Sequence, residues 1–151
     1  TVLRALTELG AHVNQAQDDG VMPLYIAAQF GHETIVRALI DAGADVNKAM
    51  DVGVTSLYIA AQVGHEAVMR ALLESGAVIN QMVDDGTTPL FVATQNGHEA
   101  MVRALIESGA DVNAAENNGW TPLSVSMTPV FNVAQGGHAA IVQLLRDAGA
   151  V

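Results

Sequence analysis

The chain has no cysteine and few basic residues, with six Lys and Arg against sixteen Asp and Glu among 151 residues. Without cysteine, neither a disulfide framework nor a thiolate zinc site can form. The formal net charge of −10 repels the phosphates of nucleic acids and of anionic lipids. We therefore predict no nucleic-acid partner and no role at a membrane surface.

Long apolar runs are also missing, and so is an initiating methionine. No stretch approaches the length that crosses a bilayer, and no signal peptide precedes Thr1. We expect the native N terminus to lie upstream, which leaves the compartment unknown, with the cytoplasm as the default. The 50% of residues that are hydrophobic suffice for the core of one domain.

Glycine, histidine and asparagine recur in rows with a common step of 33 residues. Several independent rows keep the same register, so the period marks stacked units that bury their apolar faces against each other. The rows are Gly20, Gly53, Gly86 and Gly119; Gly10, Gly43, Gly76 and Gly109; His32, His65 and His98; and Asn14, Asn47, Asn80 and Asn113.

One unit, residues 84–116, reads as a turn, a short helix, a tight loop and a second helix. Thr88 is a natural N-cap, and Pro89 suits the first helical position, where its missing N–H costs nothing. Gly97 stops the first helix and Gly109 ends the second, whose apolar residues recur at helical spacing. The segments between units are rich in Asn, Asp and Gly, which favours hairpin-like turns with positive φ.

The segment TPLFVATQNGHEAMVRALIESGADVN (88–113) resembles the ankyrin-repeat family pattern of Thr-Pro-Leu-His, then Gly-His, then Gly-Ala-Asp-Val-Asn. The resemblance extends along essentially the whole chain. It implies an all-α fold, an ankyrin-repeat solenoid of stacked helix-turn-helix units joined by β-hairpin-like turns. The sequence departs from the family pattern at the same position in three units. Tyr25, Tyr58 and Phe91 stand there, where the family has histidine. The hydrogen bonds of that histidine must be replaced by tyrosine hydroxyls or lost.

We predict one ankyrin-repeat domain over residues 1–151. The chain opens halfway through a unit, and neither end carries the polar substitutions of a capping unit, so we expect a segment of a longer array. The predicted units are a partial repeat with only its second helix at 1–16, full repeats at 17–49, 50–82 and 83–115, and a full repeat at 116–151 with a seven-residue insertion near 121–127.

The last unit contains two Thr-Pro pairs, beginning at Thr121 and Thr128, where the other units have a single helix start. Counting back from the following Gly-His aligns Thr128 with Thr88. The sequence therefore predicts that Thr128 is the N-cap and that residues 121–127 loop out beside the last hairpin. A helix through both pairs would place Pro129 in its interior, at a cost of about 3 kcal/mol. The loop is either a tolerated insertion or a contact for a partner.

The sequence predicts neither a metal site nor an active site. Histidines that occur once per unit are expected to lie roughly 10 Å apart, whereas zinc ligands must lie about 2 Å from one ion. The resemblance implies instead that each histidine hydrogen-bonds its loop to the next unit. No catalytic triad and no phosphate-binding loop is apparent, so we expect no enzyme and no cofactor. Glutamate–arginine pairs four apart, beginning at Glu33, Glu66 and Glu99, predict a solvated charged face.

Protein binding is the function that the resemblance implies, on a concave surface formed by the hairpin tips and the first helices. Two features favour such a site here: Trp120 lies in a hairpin, and Val52 and Val54 place apolar side chains on a turn. The alternative for Trp120 is that it covers the insertion. The residues predicted to bind a partner are Asp18, Asp19, Val21, Phe30, Asp51, Val52, Val54, Val63, Asp84, Asp85, Thr87, Asn96, Asn118 and Trp120.

These patterns predict a monomeric, non-catalytic module that binds a protein with a basic surface. Two alternatives stay open: a structural spacer within a longer ankyrin array, and an engineered or selected ankyrin scaffold. Paired carboxylates such as Asp84 and Asp85 are explained first by turn formation and second by a basic partner.

Overall fold

The computed structural model describes residues 13–14, 21–127 and 135–151. Helices are the only regular elements in these ranges, which confirms the predicted all-α class. None of these helices is long and apolar enough to cross a bilayer. The helices are α1 (Pro23–Gln29), α2 (Glu33–Asp41), α3 (Ser56–Val63), α4 (Glu66–Glu74), α5 (Pro89–Gln95), α6 (Glu99–Glu107), α7 (Pro122–Ser126) and α8 (Gln135–Asp147), with a 3₁₀ turn at Asp51–Gly53.

The helices form two layers that run along the stack. The odd-numbered helices α1, α3, α5 and α7 pack successively against each other, and so do the even-numbered helices α2, α4, α6 and α8. Each odd-numbered helix also packs against the even-numbered helix that follows it. This is the stacking that the 33-residue period predicts, although the unit boundaries themselves stay predictions.

The odd-numbered helices begin where the Thr-Pro motif predicts. The hydroxyl oxygens of Thr55 and Thr88 accept hydrogen bonds of 3.2 Å from the backbone N–H groups of Tyr58 and Phe91. Each bond satisfies a donor that the first turn of a helix leaves without a partner. Met22 stands at the same position before α1 and makes no such bond, so α1 lacks a side-chain cap.

A single apolar core runs between the two layers. Its most deeply buried side chains include Leu72, Leu105 and Leu145 from the even-numbered helices. Met69 and Met101 are also buried there, as their helical spacing predicts. Since the helices pack against helices of neighbouring units as well as of their own, no unit buries its apolar face alone.

The asparagine row joins successive units. Asn47 Nδ2 donates to the carbonyl of Gly76 at 3.1 Å, and Asn47 Oδ1 accepts from the N–H of Val78 at 2.8 Å. Asn113 makes the equivalent pair of bonds to Gly149 and Val151. Both ends of one amide are thereby satisfied by the backbone of the next unit.

The histidine row also joins units, but each histidine bonds to the preceding unit and not, as was predicted, to the next one. His65 Nε2 donates to the carbonyl of Gln29 at 3.1 Å, and His98 Nε2 donates to that of Gln62 at 2.9 Å. Each acceptor lies at the end of the preceding odd-numbered helix. The histidines thus bind the unit before them, whereas the asparagines bind the unit after them.

The prediction that residues 121–127 loop out was wrong. Thr121 caps α7, which packs against α5 like the other odd-numbered helices. Thr121 and Ser124 form a capping box, in which Ser124 N donates to Thr121 Oγ1 at 3.2 Å and Thr121 N donates to Ser124 Oγ at 2.7 Å. The predicted cap Thr128 lies outside the described residues. The next helix, α8, has 13 residues where α6 has nine, and it begins at Gln135, before His138.

Candidate functional site

The turns between units and the odd-numbered helices share one surface, which we call the hairpin face. Each turn is closed by a backbone hydrogen bond, for example from Val83 N to the carbonyl of Thr87 at 3.0 Å. Neighbouring turns are joined by further bonds, from Asp84 N to Val52 O at 2.9 Å and from Asn117 N to Asp85 O at 2.8 Å. The turn tips therefore form a continuous ridge beside the odd-numbered helices.

Large apolar side chains are exposed on this face. The exposed fractions are 63% for Phe30, 62% for Val52, 44% for Val63 and 42% for Trp120. Exposed apolar area of this kind is typical of interaction surfaces. Exposure alone does not distinguish the hairpin face, because apolar side chains outside this face are exposed to a similar extent. Val78, for example, is 48% exposed.

The other residues predicted to bind a partner fall into four groups. The polar residues Asp51, Asp84, Asp85, Asn96 and Asn118 are exposed, and Val21 and Val54 are half-buried. Thr87 is buried, which contradicts its predicted place on the accessible surface. Asp18 and Asp19 lie outside the described residues.

A pocket of about 410 Å³ opens on the hairpin face between two successive turns. It combines apolar walls, two phenol rings and two carboxylates. The sequence did not assign Tyr25, Tyr58 or Val83 to the site, although tyrosine in place of the family histidine was a signal for the first two. The pocket is lined by Tyr25, Val52, Val54, Tyr58, Gln62, Val83, Asp84 and Asp85.

A chain of hydrogen bonds forms one side of the pocket. Thr87 Oγ1 donates its only proton to Asp85 Oδ1 at 2.6 Å, and Asp85 Oδ1 also accepts from the N–H of Thr87 at 2.9 Å. The Tyr58 hydroxyl lies 3.0 Å from Thr87 Oγ1 and must therefore be the donor in that bond. Thr87 thus connects Tyr58 to Asp85, and the Tyr58 hydroxyl makes its hydrogen bond at a position where the family pattern has histidine.

The preceding unit lacks this chain. Tyr25 is the equivalent of Tyr58, but Val54 occupies the position equivalent to Thr87. The Tyr25 hydroxyl accordingly has no hydrogen-bond partner among the described residues, and its ring lines the pocket. The hydroxyl of one tyrosine is thus part of the hydrogen-bonded wall of the pocket, while that of the other makes no hydrogen bond to the described residues.

Burial of Tyr58 raises its pKa above the ordinary value of 10.0. Burial is the largest cause, and the negative charge of Asp85 raises the pKa further. Because the neutral phenol is favoured in the folded state, its contribution to stability is fully present below the unfolded pKa. That contribution is lost as the pH rises through the folded pKa.

Replacing Tyr58 with phenylalanine is expected to lower the free energy of unfolding at pH 7 by about 1 kcal/mol, since Thr87 loses a buried donor. The substitution also removes the part of the stability loss above pH 10 that comes from Tyr58. Urea denaturation followed by circular dichroism at neutral and alkaline pH measures both effects.

The matched control is Tyr25→Phe, which removes a hydroxyl that has no partner in the described structure. We expect a change within about 0.5 kcal/mol. Equal losses in the two variants would show that the bond between Tyr58 and Thr87 does not stabilise the fold.

Backbone strain is found at the rim of the pocket. Val52 has φ 63° and ψ 10°, and it is the only non-glycine residue with positive φ in the described ranges. The left-handed region is unfavourable for a β-branched side chain, and such strain occurs preferentially at functional sites. The strained turn exposes this valine next to the pocket.

Several charged groups on the even-numbered helices are paired with each other. The predicted pairs are confirmed: Arg37, Arg70 and Arg103 contact Glu33, Glu66 and Glu99 at 2.9 to 3.0 Å. Arg37 also contacts Glu74 of the next unit at 3.1 Å. All of these pairs lie on the even-numbered helices, away from the hairpin face. In the described part of the chain, no three metal-binding side chains converge.

Comparison with known protein families gives a match to one of them. A model of ankyrin repeats, three copies in length, matches residues 1–83 and 78–150. No curated protein matches the chain. Ankyrin repeats are generally protein–protein interaction modules and are typically non-enzymatic. The matches cover nearly the whole chain and agree with its stacked helix pairs, so this chain belongs to the ankyrin-repeat family.

Proposed function

We propose that this chain is a non-catalytic module that binds a protein partner on its hairpin face. The observation that carries the proposal is the coincidence of the pocket with exposed apolar side chains on one surface. Phe30 and Val63 lie at the ends of α1 and α3, and Val52 lies on the turn that borders the pocket. Apolar anchors around a pocket with a polar rim are typical of protein interfaces.

The opposite side of the molecule offers a weaker candidate. A depression of about 360 Å³ between α4 and α6 is lined in part by Arg70, Leu73 and Glu74. Arg70 is paired there with Glu66, and Glu74 with Arg37. Exposed ion pairs of this kind contribute little and indicate a solvated surface. The hairpin face instead has carboxylates that no base in the described part of the chain neutralises.

Selection from a library of random peptides tests the proposal without knowledge of the natural partner. Selected peptides are titrated against the parent chain, the hairpin-face variant Phe30→Ala/Val63→Ala/Trp120→Ala, and the control variant Ile35→Ala/Val78→Ala/Val151→Ala. Both variants remove three exposed apolar side chains. Circular dichroism is used to check that each variant is folded.

We expect the hairpin-face variant to lose at least about tenfold in affinity, which corresponds to roughly 1.4 kcal/mol, while the control binds like the parent. The proposal is wrong if no peptide is enriched, or if both variants lose affinity equally. Either result would favour a spacer role for this segment.

A further inference from the structure

We propose that the pocket on the hairpin face binds the side chain of an arginine or lysine supplied by the partner, an inference that rests on the proposed function. Val52, Val54 and Val83 form apolar walls beside the carboxylates of Asp84 and Asp85. A long cationic side chain matches both parts of the pocket. Its methylene stem packs on the valines while its charged end reaches the carboxylates.

The polar groups of the pocket favour a ligand that donates hydrogen bonds. The Asp84 carboxylate has no partner among the described residues, and Asp85 uses only Oδ1, for Thr87. Ionised carboxylates accept hydrogen bonds and cannot donate them. The hydroxyl of Tyr25 adds a further group without a partner in the described structure. A guanidinium or an ammonium group supplies the missing donors.

The charge of the pocket disfavours acidic and apolar side chains. None of the lining residues is basic, and the arginines of α2, α4 and α6 are held by glutamates on the other side of the stack. An acidic side chain would be repelled. A neutral apolar one would remove water from the carboxylates and replace none of its hydrogen bonds. A cation also interacts favourably with the faces of the tyrosine rings.

The chain itself supplies a conservative variant for a test. At the next turn, Asn117 and Asn118 stand where Asp84 and Asp85 stand in the pocket. The double variant Asp84→Asn/Asp85→Asn therefore gives the pocket a turn sequence that this fold already accommodates. An asparagine oxygen can still accept the bonds from Thr87, so the turn is preserved while both charges are removed.

The experiment is an NMR titration of the full chain with the peptide amides Ac-Gly-Arg-Gly and Ac-Gly-Lys-Gly. A third peptide contains citrulline, which has the shape of arginine without its charge. Backbone amide shifts report where each probe binds. The control variant is Asp41→Asn/Glu107→Gln, which removes two exposed carboxylates outside the pocket and leaves the net charge equal to that of the test variant.

We expect saturable shifts centred on Val52, Val54 and Asp84 with the cationic probes, and at least roughly fivefold weaker binding of the citrulline probe. The Asp84→Asn/Asp85→Asn variant should lose affinity to the same extent, and the control variant should keep it. Absence of saturable shifts with both cationic probes, equal binding of citrulline, or undiminished binding by the double asparagine variant would overturn the inference.

Failure here is distinguishable from failure of the proposed function. Selected peptides that need Phe30, Val63 and Trp120 but bind the double asparagine variant as tightly as the parent would leave the hairpin face as a binding site and refute the cationic pocket. If no selected peptide depends on the hairpin face, the proposed function falls first.

Discussion

Replacing Leu105 with alanine is expected to lower the free energy of unfolding by about 3 to 5 kcal/mol. Leu105 is fully buried in α6, and α6 packs against α5, α4 and α8. The shortened side chain leaves a cavity that these helices cannot close without breaking the periodic contacts between units. Urea denaturation followed by far-ultraviolet circular dichroism measures the loss.

The control is Ile35→Ala on α2, which removes an aliphatic side chain that is 40% exposed. We expect it to cost less than about 1 kcal/mol. Because stability in a stack is a sum over units and their interfaces, the Leu105 variant should also show a broader transition as its flanking units uncouple. A loss below about 1 kcal/mol for Leu105→Ala would contradict a continuous core through α6.

Replacing Gly86 with alanine is expected to cost about 2 to 4 kcal/mol for two separate reasons. Gly86 has φ +85°, which an alanine adopts only with strain. In addition, the new Cβ would lie 2.6 Å from Asn117 Oδ1 and 2.9 Å from Asn117 N. The backbone at Asn117 is held by its bond to Asp85 O, so the next turn cannot move away without losing that bond.

Gly119→Ala separates the two causes. Gly119 occupies the equivalent place in the next turn, with φ +88°, but no atom of the described residues lies within 4 Å of the position that a Cβ would take. This variant should therefore show only the conformational cost, about 1 to 2 kcal/mol. Thermal unfolding of both variants measures the difference. Equal losses would mean that the contact between neighbouring turns does not constrain Gly86.

The sequence predicts the repeated unit because its signals are local. Thr88, Pro89, Gly97 and Gly109 each act on the backbone within a few residues, through a cap, a fixed φ or a left-handed turn. The structure confirms that α5 begins at Pro89 and ends before Gly97, and that α6 ends before Gly109. Repetition of the same signals at a fixed step then indicates stacking, since one unit cannot bury its own apolar face.

The local signals for a helix start gave a wrong prediction in the last unit, where the Thr-Pro pair occurs twice. Thr121 and Thr128 each precede proline and are equally good caps by sequence, so alignment from the C-terminal side selected Thr128. In the structure, Thr121 follows the turn glycine Gly119 at the same distance as Thr88 follows Gly86, and α7 packs against α5. The helix start at Thr121 is thus supported by contact with the preceding unit, which the local chemistry of the sequence does not reveal.

The candidate site was also predicted only in part from the sequence. The sequence placed Val52, Val54, Asp84 and Asp85 on the turns, because turn composition is a local property. It did not connect them to the tyrosines, since Tyr58 and its partner Thr87 are 29 residues apart.

By itself, then, the sequence determined the period, the helix starts of the regular units and the turn residues. Only the tertiary structure decided which side chains meet between units, that a helix begins after Thr121 in the last unit and where the pocket opens. The physical reason is that these outcomes depend on the pairing of side chains across an interface. Tyr58 and Thr87 form a hydrogen bond between units, whereas Tyr25 and Val54, at the equivalent positions, cannot form one because valine has no hydroxyl.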